Sequence, residues 1–352
     1  MSKIAVGMSG GVDSTLAAWL LKKQGHEVFG VTMSVWDPDS EVEFKGGCYG
    51  SDEPEEIARA AKAAAQLGIK HVVIDLKAEY KTAVVDYFRR EYLAGRTPNP
   101  CVRCNRILKL GLLLEKTRQA FGEFDFFATG HYARIEETPS GRVLRKGADE
   151  KKDQTYFLWG LSRKQLDNLV FPLGELTKQE TKKMAIEAGF PEAAALPESQ
   201  DFVGGDYCGL FKPSECKPGP ILDMSGKEIG RHEGIIHYTV GQRKGLGIGG
   251  LEGALYVASI DAKRNAVIVG TKKEVFLKSI KIGELNFTAD NSKPLKAMVK
   301  IRRQHEPAAA TVSPPENGVC RVEFEKPQFA PAPGQSAVFY DGDIVLGGGV
   351  IL

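Results

Sequence analysis

The stretch Met8-Ser9-Gly10-Gly11-Val12-Asp13-Ser14, close to the start of a chain of 352 residues, constrains the fold more than any other. Lys3-Ile4-Ala5-Val6-Gly7 before it has the apolar run of a short buried strand. Thr15-Leu16-Ala17-Ala18-Trp19-Leu20-Leu21-Lys22-Lys23 after it has helical periodicity, with apolar and basic residues on opposite faces. A strand, a glycine turn and a helix N-terminus together make an anion site. The glycines let backbone approach a ligand closely, and the first N–H groups of the helix have no acceptor within it. Ser9 and Ser14 add hydroxyl donors. Asp13, beside a place suited to phosphate, fits as the partner of a bound cation or as a helix cap.

No lysine follows the glycines, so the kinase-type loop Gly-x-x-x-x-Gly-Lys-Ser/Thr is excluded. Ser-Gly-Gly-x-Asp-Ser instead resembles the pyrophosphate loop of enzymes that split ATP between the α and β phosphates and carry AMP onto an oxygen. An ordinary strand-to-helix turn is the plainer alternative. The full set of residue types in strand–turn–helix context stands against it.

From residue 1 to about 130 strands and helices alternate. Glu27 to Ser34, His71 to Leu76 and Phe124 to Thr129 read as further strands. Pro54 to Leu67 (with Ser51 and Asp52 as caps), Tyr80 to Tyr92 and Asn105 to Phe121 read as helices. This order predicts an α/β fold with a doubly wound parallel sheet, whose ligands bind at the carboxyl ends of the strands. Ser9, Met33 and Thr129-Gly130-His131 would lie there. Thr177 to Ala188 is a further helix. After about residue 205 Gly and Pro rise and short β runs take over, Leu255 to Ile260 and Ala266 to Gly270 among them. From Leu277 onward their close spacing predicts a small barrel or sandwich, ending in a hairpin at Asp341-Gly342. The expected domains are 1–205 (nucleotide-binding and catalytic), 206–275 (a small β-rich central domain) and 276–352 (a C-terminal β-barrel).

A second centre of chemistry is Gly95-Arg96-Thr97-Pro98-Asn99-Pro100-Cys101-Val102-Arg103-Cys104-Asn105. Two prolines stiffen a loop that delivers Cys-x-x-Cys to the start of a helix. A free thiol of pKa about 8.5 is only a few per cent thiolate at neutral pH, so a nucleophilic cysteine needs help. Cys104, just before a helix starting at Asn105, is expected to get it from the helix dipole and from Arg103 and Arg106. Half a zinc site is the alternative, but the chain offers no second Cys/His pair at similar spacing. Buried, inert cysteines are the other.

The pyrophosphate loop and Thr-Pro-Asn-Pro-x-x-x-Cys-Asn together resemble the tRNA-specific 2-thiouridylases, which replace the C2 oxygen of the wobble uridine (position 34) with sulfur. The resemblance covers nearly the whole chain. It includes Thr129-Gly130-His131-Tyr132-Ala133-Arg134, Lys152-Asp153-Gln154-Thr155-Tyr156-Phe157-Leu158, Gly230-Arg231-His232-Glu233-Gly234, Tyr238 to Gly250 and Ala332 to Val338. It implies an adenine nucleotide α-hydrolase-like first domain, with ATP and Mg²⁺ as cofactors. ATP would be held by Gly7, Met8, Ser9, Gly10, Gly11, Val12, Asp13, Ser14, Met33 and Gly130. Asn99, Pro100 and Cys101 would flank the target base, which must leave the anticodon stack to be reached. His131, Lys152, Asp153, Gln154, Arg302, Arg303 and Gln335 would touch tRNA, and the basic 242–250 stretch and the barrel would grip phosphate and sugar edges. Asp13 and Cys104 would act in catalysis. The partners implied are tRNA and a sulfur donor, either a cysteine desulfurase or a sulfur-relay protein. A monomer is expected.

One departure matters. The family usually carries a second catalytic cysteine in Ser-x-x-x-Cys-Phe, whereas this chain has Ser199-Gln200-Asp201-Phe202-Val203-Gly204, with Val203 at the cysteine position. Cys101 stands where aspartate is often found. Two repairs are open. Cys208 or Cys101 supplies the partner thiol, or Cys101, Cys104 and Cys208 hold a [4Fe–4S] cluster with an open iron, which would take inorganic sulfide. Inert Cys208 is a third alternative. Cys48, Cys216 and Cys320 read as structural.

Gly245-x-Gly247-x-x-Gly250 fits the dinucleotide fingerprint by pattern, but a turn and strand follow it, so it is rejected. His232-Glu233 with His237 misses the zinc-protease spacing by one residue. Two rival functions share parts of the pattern. Another adenylating ligase or amidating synthetase acting on a small molecule would have no use for Cys101-x-x-Cys104, and a non-enzymatic RNA-binding module would not explain Ser9 to Ser14. Lys+Arg 47 against Asp+Glu 45 gives net +2, so any RNA site must come from local clustering. No apolar run approaches the roughly 20 residues that cross a bilayer, and no signal-peptide pattern opens the chain. A cytoplasmic protein with reduced thiols is expected, without a membrane partner.

Overall fold

The computed structural model describes residues 1–38, 44–139, 141–197, 202–248 and 253–352. Ser199, Gln200, Asp201, Gly249 and Gly250 of the motifs above lie outside them. The chain divides into two compact units: Met1–Val84 with Cys101–Tyr207 and Asp343–Val345, and Val85–Pro100 with Cys208–Gly342 and Leu346–Leu352.

The first unit is built on β1 (Lys3–Gly7), β2 (Glu27–Ser34), β3 (His71–Asp75), β4 (Phe126–Ala128) and a short strand, Leu169–Val170. These five form a parallel sheet in which β1 pairs with β2 on one side and β4 on the other. Ile4, Ala5 and Val6 are buried on both faces, which is why this strand reads as continuously apolar rather than alternating. Helices α1 (Val12–Lys23) and α2 (Glu53–Leu67) pack on the sheet through Ala18, Leu21, Ala60, Ala63, Ala64 and Leu67. Strand order reverses at β1, so the crevice between the ends of β1 and β4 is the ligand position of such a sheet. Ser9–Ser14 and Thr129–His131 leave from those two ends.

Three local expectations change. Asp52 stands at the start of α2 but makes no side-chain cap; its Oδ2 accepts from the Gly46 N–H at 3.1 Å instead. Helical structure around the Cys-x-x-Cys begins at Pro100, not Asn105: Pro100–Arg103 is α-helical, Cys104–Leu112 has π form, and Leu113–Phe121 is α-helical again. Proline at the first helical position explains the early start, because its φ is already helical and its missing N–H is not needed there. A hairpin, Ala133–Thr138 with Gly141–Lys146, also emerges where no strand was foreseen.

In the second unit, Gly219–Leu222, Glu228–His232, Leu255–Asp261 and Ala266–Thr271 make a small sheet around Ile221, Val257, Val267 and Val269. The last six strands, Phe276–Phe287, Leu295–Lys300, Ala308–Val312, Cys320–Phe329, Ser336–Asp341 and Ile344–Ile351, are antiparallel. The first of them pairs with both Cys320–Phe329 and Ile344–Ile351, which closes the barrel. Closure removes exposed edges, and Ile282, Val299, Val322, Phe324 and Phe339 fill the interior. Among the described residues, no helix is long and apolar enough to cross a membrane.

Candidate active site

The turn after β1 is shaped by contacts that leave no room for other residues. Gly10 has φ +76°, and a Cβ there would lie 2.7 Å from the Glu56 carbonyl oxygen. A Cβ on Gly130 would lie 2.6 Å from the Asp13 carbonyl carbon and 2.8 Å from the Ser14 nitrogen. The β4 end therefore presses directly on the start of α1. Over Gly11, by contrast, only Ser9 Oγ comes near a Cβ position, at 3.7 Å. The first α1 bond runs from the Thr15 N–H to the Gly11 carbonyl. That leaves the N–H groups of Val12, Asp13 and Ser14 beyond the intrahelical ladder. Ser14 Oγ accepts from the Ser9 N–H at 3.1 Å and donates to the Gly11 carbonyl at 3.2 Å, holding the turn in shape. Dipole, N–H groups and the open face of Gly11 fit a phosphate chain.

Asp13 is not a helix cap. Gly11 occupies that position and no side chain caps it. The cationic partner in this structure belongs to the protein: Lys178 Nζ donates to both Asp13 oxygens at 2.7 Å, and the Tyr132 hydroxyl donates to Oδ1 at 2.8 Å. Lys178 is buried, in the first turn of the helix Lys178–Glu187 that Thr177 and Glu180 cap. Nothing local in the sequence marks it, because its partner is 165 residues away. Gln154 supports the same cluster. Its Oε1 accepts from the Tyr132 N–H at 2.9 Å, and its own N–H donates to the Tyr132 carbonyl at 3.0 Å. Asp153 pins the adjoining turn by accepting from Thr155 Oγ1 at 2.7 Å. Asp153 and Gln154 thus serve the loop through Tyr132, while Lys152 is half-buried beside them.

His131 is buried. Its Nδ1 meets Thr129 Oγ1 at 2.7 Å, and its pKa falls to about 3, first through burial and then through Lys109. It is a neutral ring at working pH, packed edge-on against Phe171. Met33 is half-buried near the carboxyl end of β2, paired in register with Ile74.

Cys104 is also buried, and its thiol is pushed up to about 11, by burial first, with Lys109 pulling it down and Cys48 pushing it up. The expected dipole-activated thiolate is therefore corrected. With the helix starting at Pro100, Cys104 lies beyond the first turn, where the dipole has faded, and desolvation wins. Lys109 is raised: burial alone would lower it, but Cys104, Cys48, Cys101 and Glu56 together raise it. The kink at Leu110 frees carbonyls, and Gln165 Nε2 satisfies those of Arg106 and Leu110 at 2.8 and 2.9 Å.

Lys109 links the two halves of the site within this unit. It acts on Cys104 and His131, and also on Glu56, whose carbonyl abuts Gly10. Glu56 itself is held at about 7 against 4.5, by burial first and by Asp52 next. A carboxyl raised in the folded state adds stability that is full below 4.5 and lost as pH rises through about 7. Glu56→Gln is expected to raise the unfolding free energy by about 2 kcal/mol at pH 8.5 and to change little at pH 4. Urea titrations at both pH values measure it, and equal gains at the two would contradict the shift.

In the second unit, Gln335 Nε2 donates to the Thr97 and Pro98 carbonyls at 3.0 and 3.2 Å, fixing the approach to Asn99 and Pro100, which are half-buried. Arg302 is spent on the Val240 and Ala330 carbonyls, both at 2.6 Å, whereas Arg303 is exposed. Gln242 braces the following loop by accepting from the Thr239 N–H and donating to the Lys244 carbonyl, and Arg243 and Lys244 are exposed. Cys208 Sγ lies 3.1 Å from His237 Nδ1. Among the described residues no three His, Cys, Asp or Glu side chains are grouped to hold a metal ion.

Three family models match the chain: "tRNA methyl transferase HUP domain" over residues 2–204, "tRNA methyl transferase PRC-barrel domain" over 210–271, and "Aminomethyltransferase beta-barrel domain" over 277–351. Similar proteins include the tRNA-specific 2-thiouridylase MnmA of Endomicrobium trichonymphae, 46% identical with 99% of each chain covered. Those of Acetivibrio thermocellus (43%, 99% of each) and a Roseiflexus species (44%, 100% of this chain and 99% of the other) are comparable.

Proposed function

The chain belongs to the tRNA-specific 2-thiouridylase family, and from that premise we infer how its residues carry out ATP-dependent 2-thiolation of the wobble uridine of tRNA. The phosphates of ATP lie over Gly11 against the N–H groups of Val12, Asp13 and Ser14. The uridine C2 oxygen attacks the α-phosphorus, pyrophosphate leaves, and a poor leaving group becomes a good one. A sulfur-bearing thiol then attacks C2, and AMP departs with the oxygen. Mg²⁺ would arrive with the nucleotide and supply charge to the phosphates. Asp13, already engaged with Lys178, would be the residue to hold it.

Cys104 handles the sulfur with a second thiol. Cys101 lies on the same helical run, and Cys208 Sγ lies 3.1 Å from His237 Nδ1. Cys208 belongs to the second unit and Cys101 and Cys104 to the first, and no step of this reading runs through iron. Iron analysis after anaerobic purification tests that choice. Residues 1–205 act as the nucleotide-binding catalytic domain, with 206–275 and 276–352 gripping tRNA. Arg243, Lys244 and Arg303 are exposed and would meet phosphates in this reading. The protein works as a cytoplasmic monomer supplied by a persulfide-bearing donor.

The observation that supports this reading most is the placing of Cys104 and the Ser9–Ser14 turn in one unit, joined through Lys109, Glu56 and His131. With ATP and Mg²⁺, pyrophosphate release is expected only when unmodified tRNA is added. Nuclease digests should contain 2-thiouridine once a persulfide donor is present. Release driven by a small amino acid in place of tRNA would turn the reading toward an amidating synthetase.

A further inference from the structure

Val203, at the position where the family's second cysteine is expected, is buried and faces another segment of the first unit. The Tyr49 N–H donates to the Phe202 carbonyl at 3.0 Å. A Cβ on Gly47 would lie 2.7 Å from Val203 Cα and 2.6 Å from the Gly204 nitrogen, and one on Gly204 would collide with the Lys45 carbonyl. Residues 45–49 and 202–204 therefore run side by side at backbone contact, and only glycine fits at 47 and 204. The residue bracketed between Gly47 and Tyr49 is Cys48.

Cys48 also belongs to the surroundings of Cys104. Tyr49 stacks on Tyr80, with ring centroids 5.4 Å apart and planes at 10°. Tyr80 ends a short helix, Lys77–Tyr80, that packs against the π segment Cys104–Leu112. The buried Tyr80 hydroxyl is raised by burial first, then by Cys104, Cys48 and Cys101. Lys109 acts on the same three. Cys48 is exposed while Cys104 is buried, and a thiol that takes sulfur from another protein must be reachable.

We propose that Cys48 replaces the missing second cysteine as the thiol that receives and delivers sulfur, with Cys104 releasing the product. The proposal rests on the 2-thiouridylase reading. A persulfide donor passes its outer sulfur to Cys48, leaving as a thiol. The outer sulfur of that Cys48 persulfide attacks C2 of the adenylated uridine, the C2–O bond breaks, and AMP leaves. Cys104 then attacks Cys48 Sγ. The S–S bond to the base breaks, its electron pair stays on the sulfur at C2, and the Cys104 proton ends on N3 of the base. A Cys48–Cys104 disulfide remains, and a dithiol reductant returns it to two thiols with two electrons and two protons.

The test is a single turnover by the full chain with ATP, Mg²⁺, unmodified tRNA and a low-molecular-weight persulfide, without dithiol. Peptide mass spectrometry should find Cys48 linked to Cys104 in step with 2-thiouridine. Cys48→Ser should lose at least about 100-fold in 2-thiouridine while tRNA-dependent pyrophosphate release is still detected, and Cys216→Ser should keep both. Full 2-thiouridine from Cys48→Ser, or a disulfide joining Cys104 to Cys101 or Cys208, overturns the assignment. If the wild-type chain releases no AMP with tRNA, the function reading fails. The thiol pairing is then judged by diamide oxidation, which should link Cys48 to Cys104 and is contradicted by any other partner.

Discussion

Replacing Cys104 by serine is expected to reduce 2-thiouridine formation by at least about 10³-fold and to change tRNA affinity by less than about twofold. An alcohol can neither carry sulfur nor close a disulfide, yet it is nearly the same size, so the surrounding packing survives. Digestion and mass spectrometry of the tRNA read the first effect, and filter binding reads the second. Unchanged thiolation would remove Cys104 from the mechanism. The pH dependence gives a separate reading of the same residue. Cys104 titrates at about 11, so at pH 7–9 its thiolate is a small fraction that grows about tenfold per pH unit. The single-turnover rate of product release should rise across that range. A flat profile would mean that another group, or a step that needs no thiolate, sets the rate.

Asp13→Ala should abolish tRNA-dependent AMP formation, and it should also unfold more easily than the wild type. The second effect follows from Lys178, whose side chain is 9% exposed and spends its charge on both carboxylate oxygens. Removing the carboxylate leaves a buried ammonium without its partner, at a cost of about 3 kcal/mol, lowered somewhat because Asp13 itself is partly exposed. Asp13→Ala with Lys178→Met separates the two roles. The double variant should regain most of the stability and none of the AMP formation, since the methionine removes the orphan charge without restoring an acid. Stability comes from urea titration and AMP from chromatography. A stable double variant that adenylates normally would reduce Asp13 to a structural anchor.

The site shows how the fold uses an opposing pair of electrostatic effects. Desolvation makes Cys104 a poor thiolate, and it makes Glu56 a weak acid near 7. Lys109 works against both, and is itself raised, burial lowering it while Cys104, Cys48, Cys101 and Glu56 raise it. Nucleotide turn and thiol thus share one electrostatic neighbour, although about ninety residues separate Ser14 from Cys104 in the chain.

Much of this was legible in residue order. The apolar run of β1, the paired glycines and the helical periodicity after them are local signals. They determined a parallel sheet with a phosphate-binding turn, and alternation without helices announced the barrel. The second half of the catalytic centre was only partly legible. Thr-Pro-Asn-Pro and Cys-x-x-Cys marked Cys104, but its environment came out opposite to expectation, because burial is a property of what packs on a helix and not of the helix alone. Tyr132 sits in a motif that gave no hint of its partner, and Lys178, Glu56 and Cys48 carry no local signature at all. They meet Asp13, Gly10, Cys104 and Val203 across chain separations that periodicity does not span. The sequence alone therefore determined the loop, the sheet and the family's chemistry. Only the tertiary structure decided which cation holds Asp13 and which segment runs against Val203, because charge pairing and packing depend on distances through space.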